Sequence, residues 1–121
     1  GMEFASAWEA ERYKQLYLLG KSGYISNLRT QVPYELIPAQ YEMIPTDEVY
    51  VKGAKKGQQK YKKVCVEQSV KYIADFVYTE NGKEIVEDTK SSATRKKESY
   101  IIKRKSMGHL MGIAVKEVTK K

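Results

Sequence analysis

The sequence has one cysteine, one histidine and three prolines in 121 residues. A lone Cys65 excludes an internal disulfide, and together with the lone His109 it excludes a zinc site built from Cys and His side chains. No run approaches the roughly 18 apolar residues of a membrane span. The N-terminus carries no basic-then-apolar leader, and Gly1 ahead of Met2 reads as a cloning remnant. A soluble, cytoplasmic protein without membrane contact is therefore expected. Acidic residues are in deficit as well, 15 Asp and Glu against 22 Lys and Arg, for a net charge of +7. That surplus favours a polyanionic partner, nucleic acid or an anionic surface, and charge alone does not choose between them. With 41% apolar residues the chain can bury one core but not two, so a single domain over residues 1–121 is expected.

What the sequence does contain is a pair of apolar runs around Asn81-Gly82, within KYIADFVYTENGKEIVEDTK from Lys71 to Lys90. Asn and Gly both accept the positive φ of a type I′ turn, so the stretch reads as a hairpin with a two-residue loop. Glu80 then pairs with Lys83, and counting back along both strands sets Asp75 opposite Asp88. Side chains alternate between faces, which places Asp75 with Ile73 and Val77, and Asp88 with Val86 and Lys90. Like charges directly opposed have Cβ atoms ~4.5–5.5 Å apart and repel, so an apolar face needs a compensating group there. A divalent cation supplies it, and hard carboxylate oxygens suit Mg²⁺ or Mn²⁺.

The remaining elements are legible in outline. Ser6 followed by Glu9 forms a capping-box pattern ahead of a helix to about Leu19, with Tyr13, Leu16, Tyr17 and Leu19 as its apolar surface. Residues 25–37 fit a first strand in which Pro33 implies an edge or a bulge. From Pro38 to Val49 the pattern weakens, and Pro45 with Asp47-Glu48 suggests a turn or loop. Residues 52–63 hold six lysines and no acid, a basic loop or hairpin tip inserted at about 45–63. It leaves the sheet near the carboxylates if Lys62 to Val66 pairs beside the central hairpin. Thr94 is a candidate N-cap for a helix from about Arg95 to Leu110 that turns Tyr100, Ile101, Met107, Leu110 and Met111 inward. Gly112 ends it, and residues 113–118 read as a last strand. The order implies an α/β fold with a mixed sheet. Cys65 is expected to be buried and His109 to lie at the surface. Of the ten tyrosines, Tyr61 and Tyr72 are candidates for stacking on bases.

Asp75 on one strand, then Asp88-Thr89-Lys90 at the end of the next, resembles the PD-(D/E)XK nuclease superfamily. The wider pattern is similar to an uncharacterised phage-associated branch of it: FASAWEAERY, the Gln-containing LRTQVPYEL, KYIADFVY, VEDTK and a Thr-led helix with YIIKRK. Ala74 stands where that motif has Pro, and Ser91 where the branch often has Gly. The resemblance implies a restriction-endonuclease-like core, related in layout to junction-resolving endonucleases, and a Mg²⁺- or Mn²⁺-dependent nuclease acting on DNA, selective for junctions or flaps. It implies metal ligation by Asp75, Asp88 and the Thr89 carbonyl, with Glu9 directly or through water. Lys90 would orient the water, and Gln31 would support the site. Capping is by itself a sufficient explanation of Glu9, and the two roles coexist only if its side chain reorients. Lys55, Lys56, Lys60 and Lys62, with Lys103, Arg104 and Lys105, are candidate phosphate contacts, and a homodimer would cut two strands. The rival readings are a non-catalytic nucleic-acid-binding module and a small phage protein working through protein contacts.

Overall fold

The computed structural model of the chain describes residues 3–119. Its elements are α1 (Ala7–Lys21), β1 (Ser26–Ile37), β2 (Gln40–Val49), β3 (Gln59–Glu67), β4 (Val70–Glu80), β5 (Lys83–Lys90), α2 (Ser92–Arg95), α3 (Glu98–Met111) and β6 (Lys116–Thr119). The fold is mixed α/β. Strands β1, β4, β5 and β6 form one sheet in that order, and β2 pairs with β3 in a second. The chain divides into two compact units, one built up to Leu36 and from Lys71 onward, the other from Ile37 to Val70. Among the described residues no helix is long and apolar enough to cross a membrane.

In the first unit the Asn81-Gly82 turn has the expected form, with φ of 52° and 77°. Glu80 pairs with Lys83, Val77 with Val86 and Phe76 with Glu87. The regular ladder stops there, one residue short of Asp75. Val77 and Val86 are buried with Tyr72, Ala74, Tyr100 and Met107, whereas Phe76 joins Leu16, Ile25 and Tyr78 in a separate cluster. In an unbroken strand Ala74 and Phe76 share a face. Here they do not, so the alternation breaks at Asp75. This corrects the expectation that Asp75 shares a face with both Ile73 and Val77: Ile73 is exposed and Val77 fully buried.

The two clusters explain the helices. Leu16 of α1 packs on Phe76 and Tyr78, with Tyr13 and Leu19 beside it, so α1 covers one face of the hairpin. Tyr100 and Met107 of α3 join the cluster on the other face. Pro33 is tolerated because β1 is an edge strand, where a missing N–H breaks no central ladder. Strand β6 runs parallel to β5, with Asp88 opposite Glu117, and this makes the sheet mixed.

Three expectations for this unit need correction. The helix after β5 is two helices, because Ser91 rather than Thr94 is the N-cap; Thr94 closes a capping box with it, and α3 begins anew after Lys97. Leu110 and Met111 are exposed, because the chain reverses at Gly112, φ 66°, and brings Ile113 and Val115 onto the core instead. Tyr72 is buried and unavailable for stacking.

The second unit is a two-stranded ribbon. Residues 40–49 are strand rather than loop. The register slips between the Pro45–Tyr61 and Val49–Gln59 pairs, so Asp47 and Glu48 sit in an irregularity. Thr46 holds it together, its Oγ1 donating to the Lys60 carbonyl at 2.9 Å and its own carbonyl accepting from Gln59 Nε2 at 3.0 Å. Val64 and its neighbours pair with β2, while β4 has β1 and β5 as neighbours. Lys62 to Val66 therefore pairs with β2 and not with the central hairpin. Cys65, expected to be buried, is exposed.

Candidate functional site

Helix α1 begins at Ser6, whose Oγ accepts from the Glu9 amide at 3.1 Å. The Glu9 carboxylate does not close the box. It is turned inward, only 4% exposed, and its Oε1 accepts from Gln31 Nε2 at 2.9 Å. Gln31 holds φ 53° within β1. That left-handed conformation costs a non-glycine residue ~1–3 kcal/mol and is retained where its surroundings fix it. Asp75 Oδ2 accepts from the Thr89 amide at 2.9 Å and from Thr89 Oγ1 at 2.7 Å. Asp88 Oδ2 accepts from the Tyr72 hydroxyl at 2.7 Å and lies 3.4 Å from Lys90 Nζ. Its other oxygen, Oδ1, is buried and accepts from no donor among the described residues, which leaves it to carry a proton toward Asp75. Lys90 Nζ also sits 4.7 Å from the centroid of the Tyr100 ring.

Glu9, Asp75, Thr89 and Lys90 line a cavity of about 430 Å³ with Ser6 and Trp8. Asp88 opens instead on a second cavity with Tyr72, Tyr100 and Lys103, and Lys90 borders both. The break at Asp75 accounts for this arrangement. The two aspartates meet across the frayed end of the ladder, each reached from a different side of the sheet. Trp8 fixes the near wall by donating from Nε1 to the Val118 carbonyl at 3.2 Å.

The electrostatics follow from burial. Removal from water, and then the neighbouring Asp75, push the Asp88 carboxyl up to about 8. Burial acts to raise Asp75 too, but hydrogen bonds from Asp88 and Thr89, with the charge of Lys90, outweigh it and hold Asp75 below the ordinary carboxylate value. Glu9 is raised, first by burial and then by Asp75. At neutral pH the aspartate pair thus shares one proton, carried by Asp88 and directed at Asp75.

Among the described residues no three Asp, Glu, His or Cys side chains already surround one point as metal ligands. Each carboxylate directs one oxygen at a protein donor: Glu9 at Gln31, Asp75 at Thr89 and Asp88 at Tyr72. The donor set nevertheless suits a hard divalent cation. It consists of carboxylates held by surrounding donors, with a proton between two of them in the place of positive charge.

This chain matches, over residues 1–118, a family described as "Protein of unknown function (DUF1064)". The chain belongs to that family. No curated protein and no solved structure matches it.

The structure brings Glu9, Gln31, Asp75, Asp88 and Lys90 together. The basic residues are more dispersed. Lys103 borders the Asp88 cavity, Arg104 lies 3.6 Å from Glu117, and Lys105 is exposed, since consecutive helical residues point about 100° apart. Lys55, Lys56, Lys60 and Lys62 belong to the ribbon unit, and His109 is exposed as expected. Sequence reasoning missed Tyr72, which orients Asp88, and the Thr89 side chain, which anchors Asp75. It also missed a buried clamp: Arg12 donates from Nε and a terminal nitrogen to the two oxygens of Glu87, each at 2.8 Å, and Tyr78 donates to Glu87 at 2.8 Å. The available signal was Glu87 itself, a charged residue in an otherwise apolar strand pattern.

Proposed function

We propose that this chain is a metal-dependent endonuclease acting on DNA, with a restriction-endonuclease-like core of the PD-(D/E)XK type. The observation that carries this reading is the pair of buried aspartates: Asp88 lies against Asp75 and 3.4 Å from Lys90, and Asp75 in turn lines a cavity with Glu9. Asp75, Asp88 and Glu9 are the residues that would hold Mg²⁺ or Mn²⁺. When bound, such an ion lowers the pKa of a water and neutralises charge on a phosphate oxygen.

The chain's own residues do the rest. Water adds to phosphorus as the bond to the leaving sugar oxygen breaks. The Lys90 ammonium, held between Asp88 and the Tyr100 ring, orients that water and offsets charge growing on the phosphate oxygens. Gln31 and Thr89 keep Glu9 and Asp75 in place. The positive surplus of the chain steers a polyanion and makes binding steeply salt-dependent. A symmetric homodimer is the proposed assembly for cutting two strands.

The test is incubation with linear, nicked and four-way-junction DNA, and with RNA, in Mn²⁺ and in EDTA. DNA cleavage in Mn²⁺ only is expected, falling about 10²–10³-fold in Lys90→Ala, the usual loss when a positioned charge stabiliser is removed. Cleavage that persists in EDTA, or that Lys90→Ala leaves unchanged, contradicts the mechanism. DNA binding with no cleavage under any condition favours the non-catalytic binding module.

A further inference from the structure

One face of the β2–β3 ribbon is exposed and carries two aromatic rings and two sulfur side chains. Tyr41 pairs with Cys65, Met43 with Lys63 and Pro45 with Tyr61. Alternate residues share a face, so these six side chains lie together. All six positions are exposed, Tyr41 by 52%, Met43 by 61% and Tyr61 by 54%. The opposite face, with Ile44, Lys60 and Val64, is half-buried at those positions. An exposed stripe of aromatic and sulfur side chains on a two-stranded ribbon marks a binding surface.

Charge identifies what it binds. The ribbon over residues 40–67 holds six lysines against four acids, Glu42, Asp47, Glu48 and Glu67; Lys60 lies 3.9 Å from Glu48, while the other lysines cluster toward the tip and are interleaved with the rings. Lys63 Nζ lies 4.2 Å from the centroid of Tyr41, and Lys55 and Lys60 lie 5.7 and 5.4 Å from that of Tyr50. A symmetric second copy would bring the same face, on which Lys63 is the one charge among the six residues, and would set lysine against lysine. A nucleic-acid strand brings phosphates for the lysines and flat bases for the rings. Duplex DNA keeps its base faces stacked inside, so only an unpaired strand offers them to Tyr41 and Tyr61. The two rings stand at either end of the stripe, ~13 Å apart at the rise of an extended strand, with Lys63 between them. The exposed contact of Lys63 with Tyr41 is the weaker interaction, so an incoming base displaces the ammonium toward its own phosphate.

We propose that this face of the ribbon binds unpaired nucleic acid, stacking bases on Tyr41 and Tyr61 while Lys63 and the lysines of the tip neutralise the phosphates. The inference deepens the nuclease reading and rests on its nucleic-acid partner: it names substrates with single-stranded segments, such as flaps, as the preferred class.

The experiment measures binding apart from cleavage. Fluorescence anisotropy of labelled oligothymidylate and of a duplex of equal length is followed in EDTA with the whole chain. Tyr41→Ala/Tyr61→Ala is expected to weaken single-strand binding at least about tenfold, with little change for the duplex. Its salt slope should stay that of wild type, whereas Lys55→Ala/Lys56→Ala should flatten the slope by about 1.4. Tyr41→Phe/Tyr61→Phe keeps the rings and should bind as wild type does, which separates stacking from misfolding. Unaltered single-strand binding by the double alanine variant overturns the proposal. So does a change from dimer to monomer in sedimentation, which would make the face an interface between copies. Absence of cleavage with the tyrosine dependence intact would instead strike the nuclease reading and leave this one standing.

Discussion

Replacing Asp88 with asparagine will stabilise the metal-free protein near neutral pH, by several kcal/mol and at most about 5 at about pH 7.5, which is more than 10 °C in melting temperature. Asp88 has an ordinary value of 3.8 and is raised to about 8 in the fold, by burial first and by Asp75 second. Between those values the folded chain holds a proton that the unfolded chain has released. Its stability therefore falls as pH rises through that window, by up to about 1.4 kcal/mol per pH unit, and levels off above it. The amide never ionises. It can still accept from Tyr72, and its nitrogen supplies the hydrogen bond that protonated Asp88 offers to Asp75. The gap between Asp88→Asn and wild type should thus be small near pH 4 and widen toward pH 8, as read from melting curves at each pH. A gap that does not change with pH contradicts the assignment of the shared proton.

Arg12→Ala will have the opposite effect, destabilising the fold by about 3–5 kcal/mol, as expected when one partner of a buried ion pair is removed. Glu87 is fully buried, and Arg12 is its only cationic partner among the described residues. The guanidinium fork also joins α1 to β5, one helical turn beyond Glu9 and one residue before Asp88, so the same substitution should loosen the site. Urea denaturation of the single variants and of Arg12→Ala/Glu87→Gln checks this. The double variant should lose less than the two singles together, because the neutral side-chain amide introduced by Glu87→Gln still accepts from Tyr78 and leaves no bare charge. Strictly additive losses would show that the clamp carries no coupling.

The parts of the fold that were legible in the sequence were those set by local chemistry. Asn81-Gly82 dictated the hairpin, Ser6 the start of α1 and Gly112 the end of α3, and each of these acts over a few residues. Strand β2 was hidden because apolar residues stand on both of its faces, Tyr41 and Met43 on one and Ile44 on the other, so no alternation can be read. The face of Asp75 was misjudged because the break at that residue is imposed by packing on two sides of the sheet, which a period-two count cannot register. Within the site, turn chemistry and spacing set Asp75 against Asp88 with Lys90 beside them, whereas Glu9 and the role of Lys90 came from the resemblance to a nuclease superfamily. Tyr72, Thr89 and the Arg12–Glu87 clamp could not be named, since their roles depend on contacts between elements far apart in sequence or on which way a strand end turns.

The carboxylate cluster as a cation site is tested most directly by titrating Mn²⁺ into the protein in a calorimeter, in buffers of different ionisation enthalpy at about pH 7. Binding is expected with release of close to one proton, because the cation takes the place of the proton held by Asp88. Asp75→Ala should abolish both the heat and the proton. No binding by the wild-type protein, or binding that Asp75→Ala leaves intact, would contradict the account.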